Sequence, residues 1–209
     1  ALPHMQGSLS ASQEQVAWVL ISYIVASAIA TTPTGYLANR YGVKRIFLIA
    51  VAGFTIASML CGIASSLTEI VFFRLLQGIF GAALVPLSQT TLLDTYPPEK
   101  QGSAMAAWGV GVMIGPIIGP ALGGWLTEYY SWRWVFYINL PIGIATFFAL
   151  KAALPDSEPR RSAPMDFTGF LFLSVAIASL QLMLDRGQSL DWFQSTEIMV
   201  ECGLAIAAM

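Results

Sequence analysis

The chain has 209 residues, 56% of them hydrophobic and only 11% charged, with 10 Lys and Arg against 12 Asp and Glu. Soluble domains carry about 25% charged residues, so this composition excludes an ordinary soluble core, and a formal net charge of −2 excludes a basic nucleic-acid surface. The two cysteines, Cys61 and Cys202, lie apart within apolar runs and form neither a disulfide framework nor a metal motif.

A membrane span takes about 20 mostly apolar residues. Ala1–Met5 reads as the tail of one span, with no basic leader or cleavage site before it. Its lone His4 has no acid or second His beside it, so it forms no dyad and no metal site. The first complete span is Trp18–Leu37. A short basic loop follows, in which Gly35 and Gly42 permit close packing and a tight turn. Arg40, Lys44 and Arg45 of this loop can reach carboxylates at other helix ends, Asp94 being the nearest candidate in the sequence. Such a cluster could latch one conformation and release in another, or could serve topology alone. The second span is Ile46–Ser66 and the third Ile70–Leu93.

Arg74 sits inside the third span, with Gln77, Gly78 and Gly81 on its helix face. A charge at membrane depth is costly and normally faces a bundle interior or a watery cavity. An inward Arg74 beside Gln77 could steer a proton or an anionic partner. The alternative is that Arg74 snorkels outward near Glu69.

The fourth span, Ser103–Leu126, carries small residues at every fourth position: Ser103, Ala107, Gly111, Gly115, Gly119 and Gly123, with Gly124, Pro116 and Pro120 among them. In water each interior Gly costs about 1 kcal/mol relative to Ala. In lipid, small residues let helix backbones approach closely, and neighbours re-satisfy groups freed by proline. A bendable helix pressed against a neighbour suits a transporter that changes shape. Gly109, Gly111 and Gly115 are no dinucleotide loop, because the last is one residue late and no strand precedes them. With no phosphate-binding loop either, energy has to come from an ion gradient.

The fifth span is Trp134–Leu154 and the sixth Phe167–Leu184, joined by a Pro- and Ser-containing linker over Pro155–Pro164. Asp185, Arg186, Asp191 and Trp192 lie in the next loop, which suits a docking surface and equally an ordinary solvated loop. A seventh span begins near Thr196, contains Glu201 and is cut at Met209, so the chain is expected to be a piece of a longer protein. An acid within a span is a functional candidate by default.

Loop charge orients the spans. Arg40, Lys44, Arg45, Lys100, Lys151, Arg160 and Arg161 fall on one side, seven of the ten basic residues. Glu14, Glu128, Asp185 and Asp191 fall on the other, with Arg133 and Arg186. The basic side is cytoplasmic by the positive-inside rule, and Trp18, Trp132, Trp134 and Trp192 form an outer aromatic belt. No convergent nucleophiles, acids or metal ligands lie at membrane depth, so an enzyme is not expected.

These residues resemble the major facilitator superfamily. Gly35, Leu37, Ala38, Arg40, Gly42, Lys44 and Arg45 match its cytoplasmic loop signature, departing at Asn39, where the family usually has Asp. Arg74–Gly78 resembles its fourth-helix motif, and Gly111–Gly124 its fifth-helix antiporter motif, which symporters generally lack. Pro86–Gln89, Tyr96–Lys100, Trp132–Gly143, Leu180–Gly187 and Asp191–Phe193 are similar to the fourteen-span drug:proton antiporters, and within them to the EmrB-type multidrug exporters of Gram-negative bacteria.

The resemblance implies an all-α membrane protein. Residues 1–154 would hold the N-terminal bundle from the end of helix 1 through helix 6. Residues 155–166 would be a cytoplasmic linker, and 167–209 linker helices 7 and 8, the latter incomplete. The first-helix acid would lie upstream. It implies proton-coupled efflux of hydrophobic or amphipathic toxic compounds across the bacterial inner membrane by alternating access, driven by the proton gradient without a cofactor. Arg74 and Gln77 would couple protons. Gly35, Asn39, Arg40, Gly42, Lys44, Arg45 and Asp94 would gate, stabilising the outward-open state. The Gly111–Gly124 helix, with Gly115, Pro116, Gly119, Pro120 and Gly123, would be the flexible interface with a second bundle. A periplasmic adaptor protein and an outer-membrane channel would be partners, the adaptor touching Asp185, Arg186, Asp191 and Trp192. The rivals are a solute:proton symporter of the same fold and a non-transporting membrane assembly protein.

Overall fold

A computed structural model describes residues 2–9, 11–156 and 165–208. All regular structure among these residues is helical. The elements are α1 (Leu2–Leu9), α2 (Gln13–Thr31), α3 (Thr34–Tyr41), α4 (Val43–Ile63), α5 (Leu67–Gly81), α6 (Leu84–Thr95), α7 (Pro98–Tyr129), α8 (Trp134–Tyr137), α9 (Asn139–Ala153), α10 (Phe167–Arg186) and α11 (Thr196–Ala207), with a 3₁₀ turn over Trp192–Gln194. Most of the linker expected over Pro155–Pro164, including Arg160 and Arg161, lies outside the described residues.

Six stretches are long and apolar enough to cross a membrane, and they coincide with the six expected spans, so the chain is a multi-pass membrane protein. Their ends differ from the expectation for local reasons. The first starts at Gln13 rather than Trp18, because Ser12 and Gln15 form a reciprocal capping box. It breaks at Thr32–Pro33 and resumes as α3. The third is two helices, α5 and α6, parted at Ala82–Ala83, and the fifth is α8 and α9, parted at Ile138. The fourth is longer than expected, at 32 residues, because Pro98 opens it at the first helical position and Pro116 and Pro120 do not end it. At 1.5 Å per residue it is about 48 Å long, well beyond the ~30 Å hydrocarbon core.

The helices pack as α2 on α5, α5 on α4, and α4 on α9, with the α10–α11 hairpin against α2. Two apolar clusters mark the two ends of this bundle. One joins Met5, Val19, Cys61, Ala64, Ile70, Trp132 and Phe136. The other joins Ala38, Phe47, Ala50, Val51, Ala83 and Leu87, with Phe147, Leu150 and Leu154 against it. Loops expected on the same side therefore meet on the same side.

Lipid offers no hydrogen-bond partners, so polar groups within the bundle must find one another. Ser58 Oγ donates to the Phe136 carbonyl at 2.9 Å and accepts from Asn139 Nδ2 at 2.9 Å. Trp132 Nε1 donates to Ser8 Oγ at 2.8 Å, and Arg133 Nη2 to the Ala64 carbonyl at 2.9 Å.

The glycine stripe departs from the expectation. No heavy atom lies within 4 Å of where a Cβ would stand at Gly109, Gly111, Gly115, Gly119, Gly123 or Gly124. The α7 helix touches α6, where Trp108 Nε1 donates to Ser88 Oγ at 3.0 Å, and α8, but its small-residue face meets no neighbour among the described residues. A close approach to a neighbouring backbone that requires glycine is found elsewhere. At Gly78 of α5 a Cβ would lie 2.5 Å from the Tyr23 carbonyl oxygen and 3.0 Å from the Ala26 Cβ.

Replacing Gly78 by Val is therefore expected to force α2 and α5 apart and lower the stability of the full-length protein, by about 1–3 kcal/mol as in overpacked cores. The measurement is the thermal melt of detergent-solubilised protein. A melt equal to wild type would mean that the two helices do not meet at this residue.

Candidate functional site

The third span orients Arg74. Ser66 caps α5, its Oγ accepting from the Glu69 amide at 3.2 Å. The Glu69 carboxylate is itself taken by the amide and hydroxyl of Ser65, at 2.8 and 2.9 Å. Glu69 thus does not draw Arg74 outward, and the guanidinium turns into the bundle. Its Nε donates to the Val19 carbonyl of α2 at 2.9 Å, and its Nη1 to Gln77 Oε1 at 2.6 Å. The Arg74 Cζ stands 4.2 Å from the centre of the Tyr23 ring and 5.9 Å from that of Phe136. Both contacts are favourable for a desolvated cation.

Gln77 is 2% exposed, and its Oε1 also accepts a long contact from the Cys61 thiol at 3.8 Å. No carboxylate lies within ion-pair distance of Arg74 among the described residues. A guanidinium has more N–H donors than these two acceptors use, so the site retains capacity for an anionic group. The sequence pointed to Arg74 and Gln77. It did not point to Val19, Tyr23, Cys61 or Phe136, which come from three other helices.

The basic loop closes differently from the expectation. Gly42 ends α3 and opens α4 with φ of 90°, a conformation glycine adopts without strain. Lys44 Nζ then pairs with Asp156 Oδ1 at 2.9 Å, not with Asp94. Asp94 lines a cleft of about 130 Å³ beside Lys44, Thr91 and Leu154 but forms no ion pair. The reason is that α9 packs on α4 and carries the chain past Leu154 directly over Lys44. Arg40 Nη1 donates to the Tyr36 hydroxyl at 2.7 Å and lies near the Tyr36 and Tyr41 rings. Arg45 has no ion pair among the described residues, and Asn39 is exposed. Gly35 has open space where a Cβ would stand, so it is not a packing glycine here.

At the end of α10 Arg186 is engaged rather than free. It pairs with Glu197, lies 3.7 Å from Glu201 and sits 5.7 Å from the Trp18 ring. Asp185 accepts from Gln181 at 2.9 Å. Asp191 and Trp192 both have positive φ, 55° and 52°, held by the Trp192 amide donating to the Gly187 carbonyl at 2.8 Å. Asp185, Asp191 and Trp192 are exposed.

Lys44 is 18% and Asp156 98% exposed at the side chain, and so exposed a pair contributes little stability. It should nevertheless be visible chemically. Zero-length carbodiimide coupling of the full-length protein, read by mass spectrometry, is expected to join Lys44 to Asp156. The product should disappear in Asp156→Asn and persist in Asp94→Asn. The reverse pattern would place the latch at Asp94.

Comparison with known proteins agrees with this architecture. The Major Facilitator Superfamily model matches residues 1–205. The chain is 44% identical to the multidrug export protein EmrB of Escherichia coli strain K12 over 210 residues, covering all of this chain and 41% of that protein. It is 45% identical to the fatty acid resistance protein FarB of Neisseria gonorrhoeae over 199 residues, covering 95% of this chain and 39% of the relative. It thus spans about two fifths of the length of these curated relatives. A crystal structure of a bacterial homologue of the human lysosomal transporter Spinster, inward-facing and unoccupied, superposes with a TM-score of 0.58 at 20% identity. That superposition covers all of this chain and 55% of the homologue and bears on the fold alone. With helices, spans and family signature in one register along the whole chain, the protein belongs to the Major Facilitator Superfamily.

Proposed function

We propose that this chain is the N-terminal bundle and linker helices of a proton-driven multidrug exporter of a bacterial inner membrane. The observation that carries the reading is Arg74, a guanidinium within a span, held by Val19, Tyr23 and Gln77 and lacking a carboxylate partner among the described residues. A buried cation with unused donors stabilises a carboxylate brought beside it, and protonation of that carboxylate to the neutral acid weakens the pair. The partner acid would come from the rest of the full-length protein, or arrive with a substrate. Similarity to EmrB supports hydrophobic or amphipathic drug-like compounds as cargo.

In this reading residues 1–154 form one rocking unit, and the uncovered small-residue face of α7 is where a second bundle slides during alternating access. At the cytoplasmic end of that unit, the weak Lys44–Asp156 pair ties the start of α4 to the chain just past α9. The energy source is the proton gradient, with no cofactor. A periplasmic adaptor and an outer-membrane channel complete the export path, and the exposed Asp185, Asp191 and Trp192 are available to the adaptor while Arg186 is not.

The test is efflux of a fluorescent lipophilic substrate by full-length protein in everted vesicles with an imposed proton gradient. Loss of a hydrogen bond to a charged group costs about 1.5–3 kcal/mol, so Arg74→Ala is expected to reduce gradient-driven transport by about 10- to 100-fold. Arg74→Lys should recover little, because an ammonium cannot reach the Val19 carbonyl and Gln77 in one plane. Gradient-driven transport that survives in Arg74→Ala would make Arg74 structural. Gradient-driven movement of solute in the same direction as the proton would replace the exporter by a symporter.

A further inference from the structure

The α10–α11 hairpin holds a charge imbalance that the reading above does not use. Arg186 faces two carboxylates with one guanidinium edge: its Nη1 is bonded by Glu197 Oε1 and lies 3.7 Å from Glu201 Oε1. The two acids are one helical turn apart on α11, so both project toward the same side of α10. Glu197 is about half exposed at the side chain and has water as an alternative. Glu201 does not: the residue is 9% exposed, and its Oε2 is fully buried with no hydrogen-bond partner among the described residues. A buried, unpartnered carboxylate oxygen is costly, and two acids sharing one cation leave a surplus negative charge.

The other charged groups facing this place do not remove the surplus. Asp185 of α10 is acidic and already accepts from Gln181, and Glu14 of α2 lies across a cleft of about 480 Å³ that Arg186 also lines. Asp191 in the connecting turn is exposed and does not line the cleft, and no second cation lines it among the described residues. The cleft is lined by Gln13, Glu14, Asp185 and Ser189 together with the apolar Ala17, Trp18, Ile21 and Leu190, and it reaches Arg186. The unpartnered group at Glu201 is a single acceptor atom, and no cluster of His, Cys, Asp or Glu able to hold a metal ion is found among the described residues.

We propose that Glu201 is a proton-binding site in the linker hairpin. The Oε2 oxygen takes a proton from the outer aqueous phase, giving a neutral carboxyl, while Arg186 stays with Glu197. When the proton leaves, Arg186 shifts toward the Glu201 carboxylate. Because Arg186 also lies against Trp18 of α2, that shift alters the contact between the hairpin and the N-terminal bundle. The site is separate from Arg74 and does not depend on what the protein transports.

The experiment is infrared difference spectroscopy of the full-length protein in lipid nanodiscs during a pH titration, following the carbonyl stretch of a buried protonated carboxyl. Wild type is expected to show such a band on acidification, and Glu201→Gln to lack it. Glu197→Gln, which frees Arg186 to pair with Glu201, should keep the band but move its midpoint to lower pH by about one unit or more. A disappearance in Glu201→Gln with no movement in Glu197→Gln would overturn the shared-cation arrangement. Identical titrations in all three proteins would overturn the site. Transport results on Arg74 variants bear on the exporter reading and leave this band unaffected.

Discussion

A guanidinium inside a membrane has to be solvated by the protein that carries it, and the α2–α5 crossing is organised around that requirement. Arg74 reaches the Val19 carbonyl and the Tyr23 face only because α5 lies close against α2. That closeness exists because Gly78, one turn beyond Arg74, presents no side chain to the Tyr23 carbonyl. Gln77 completes the site from the same helix and is itself fully enclosed. Charge, glycine and amide within five residues are thus one device. Each has little meaning alone, since the glycine creates the approach, the approach supplies the carbonyl and ring, and these make the buried charge tolerable.

The same rule, that polar groups in lipid must be met from within, accounts for the rest of the bundle's polar ties. Ser58 links the Phe136 carbonyl to Asn139 where α8 gives way to α9, and Arg133 closes the open end of α4 through the Ala64 carbonyl. Hydrogen bonds between membrane helices are worth about 0.6–2 kcal/mol each, so they specify which helix faces which more than they drive assembly. The α10–α11 hairpin follows the rule less completely. Arg186 is shared between two acids, and one oxygen of Glu201 remains unmet.

Helix α7 shows the complementary situation. Its small residues confer no packing within this part of the protein, and its apolar flanks are exposed over Val110–Ile118. A helix of this kind has its energetic partner elsewhere, either lipid or another helical body. The Gly42 end of the bundle is built the opposite way, from exposed charges, with Lys44 tied to an Asp156 that is almost wholly in solvent. The Arg74 crossing is closely packed, the small-residue face of α7 is uncovered among the described residues, and the Lys44–Asp156 pair is a weak surface contact.

Span number and span type were determined by the sequence alone, because hydropathy over about 20 residues is a property of composition along the chain. The depth of Arg74 and its pairing with Gln77 were legible for the same reason, being set by helical spacing within one span. The Ser12–Gln15 capping box was legible too, and would have set the start of α2 correctly. What only the tertiary structure decided is every partner supplied by a different helix: Val19 and Tyr23 for Arg74, Asp156 rather than Asp94 for Lys44, and Glu197 with Glu201 for Arg186. These depend on which helix faces pack together and how far α9 carries the chain before it turns. No local pattern encodes either quantity, because hydrophobic periodicity states that a face is buried without stating what buries it.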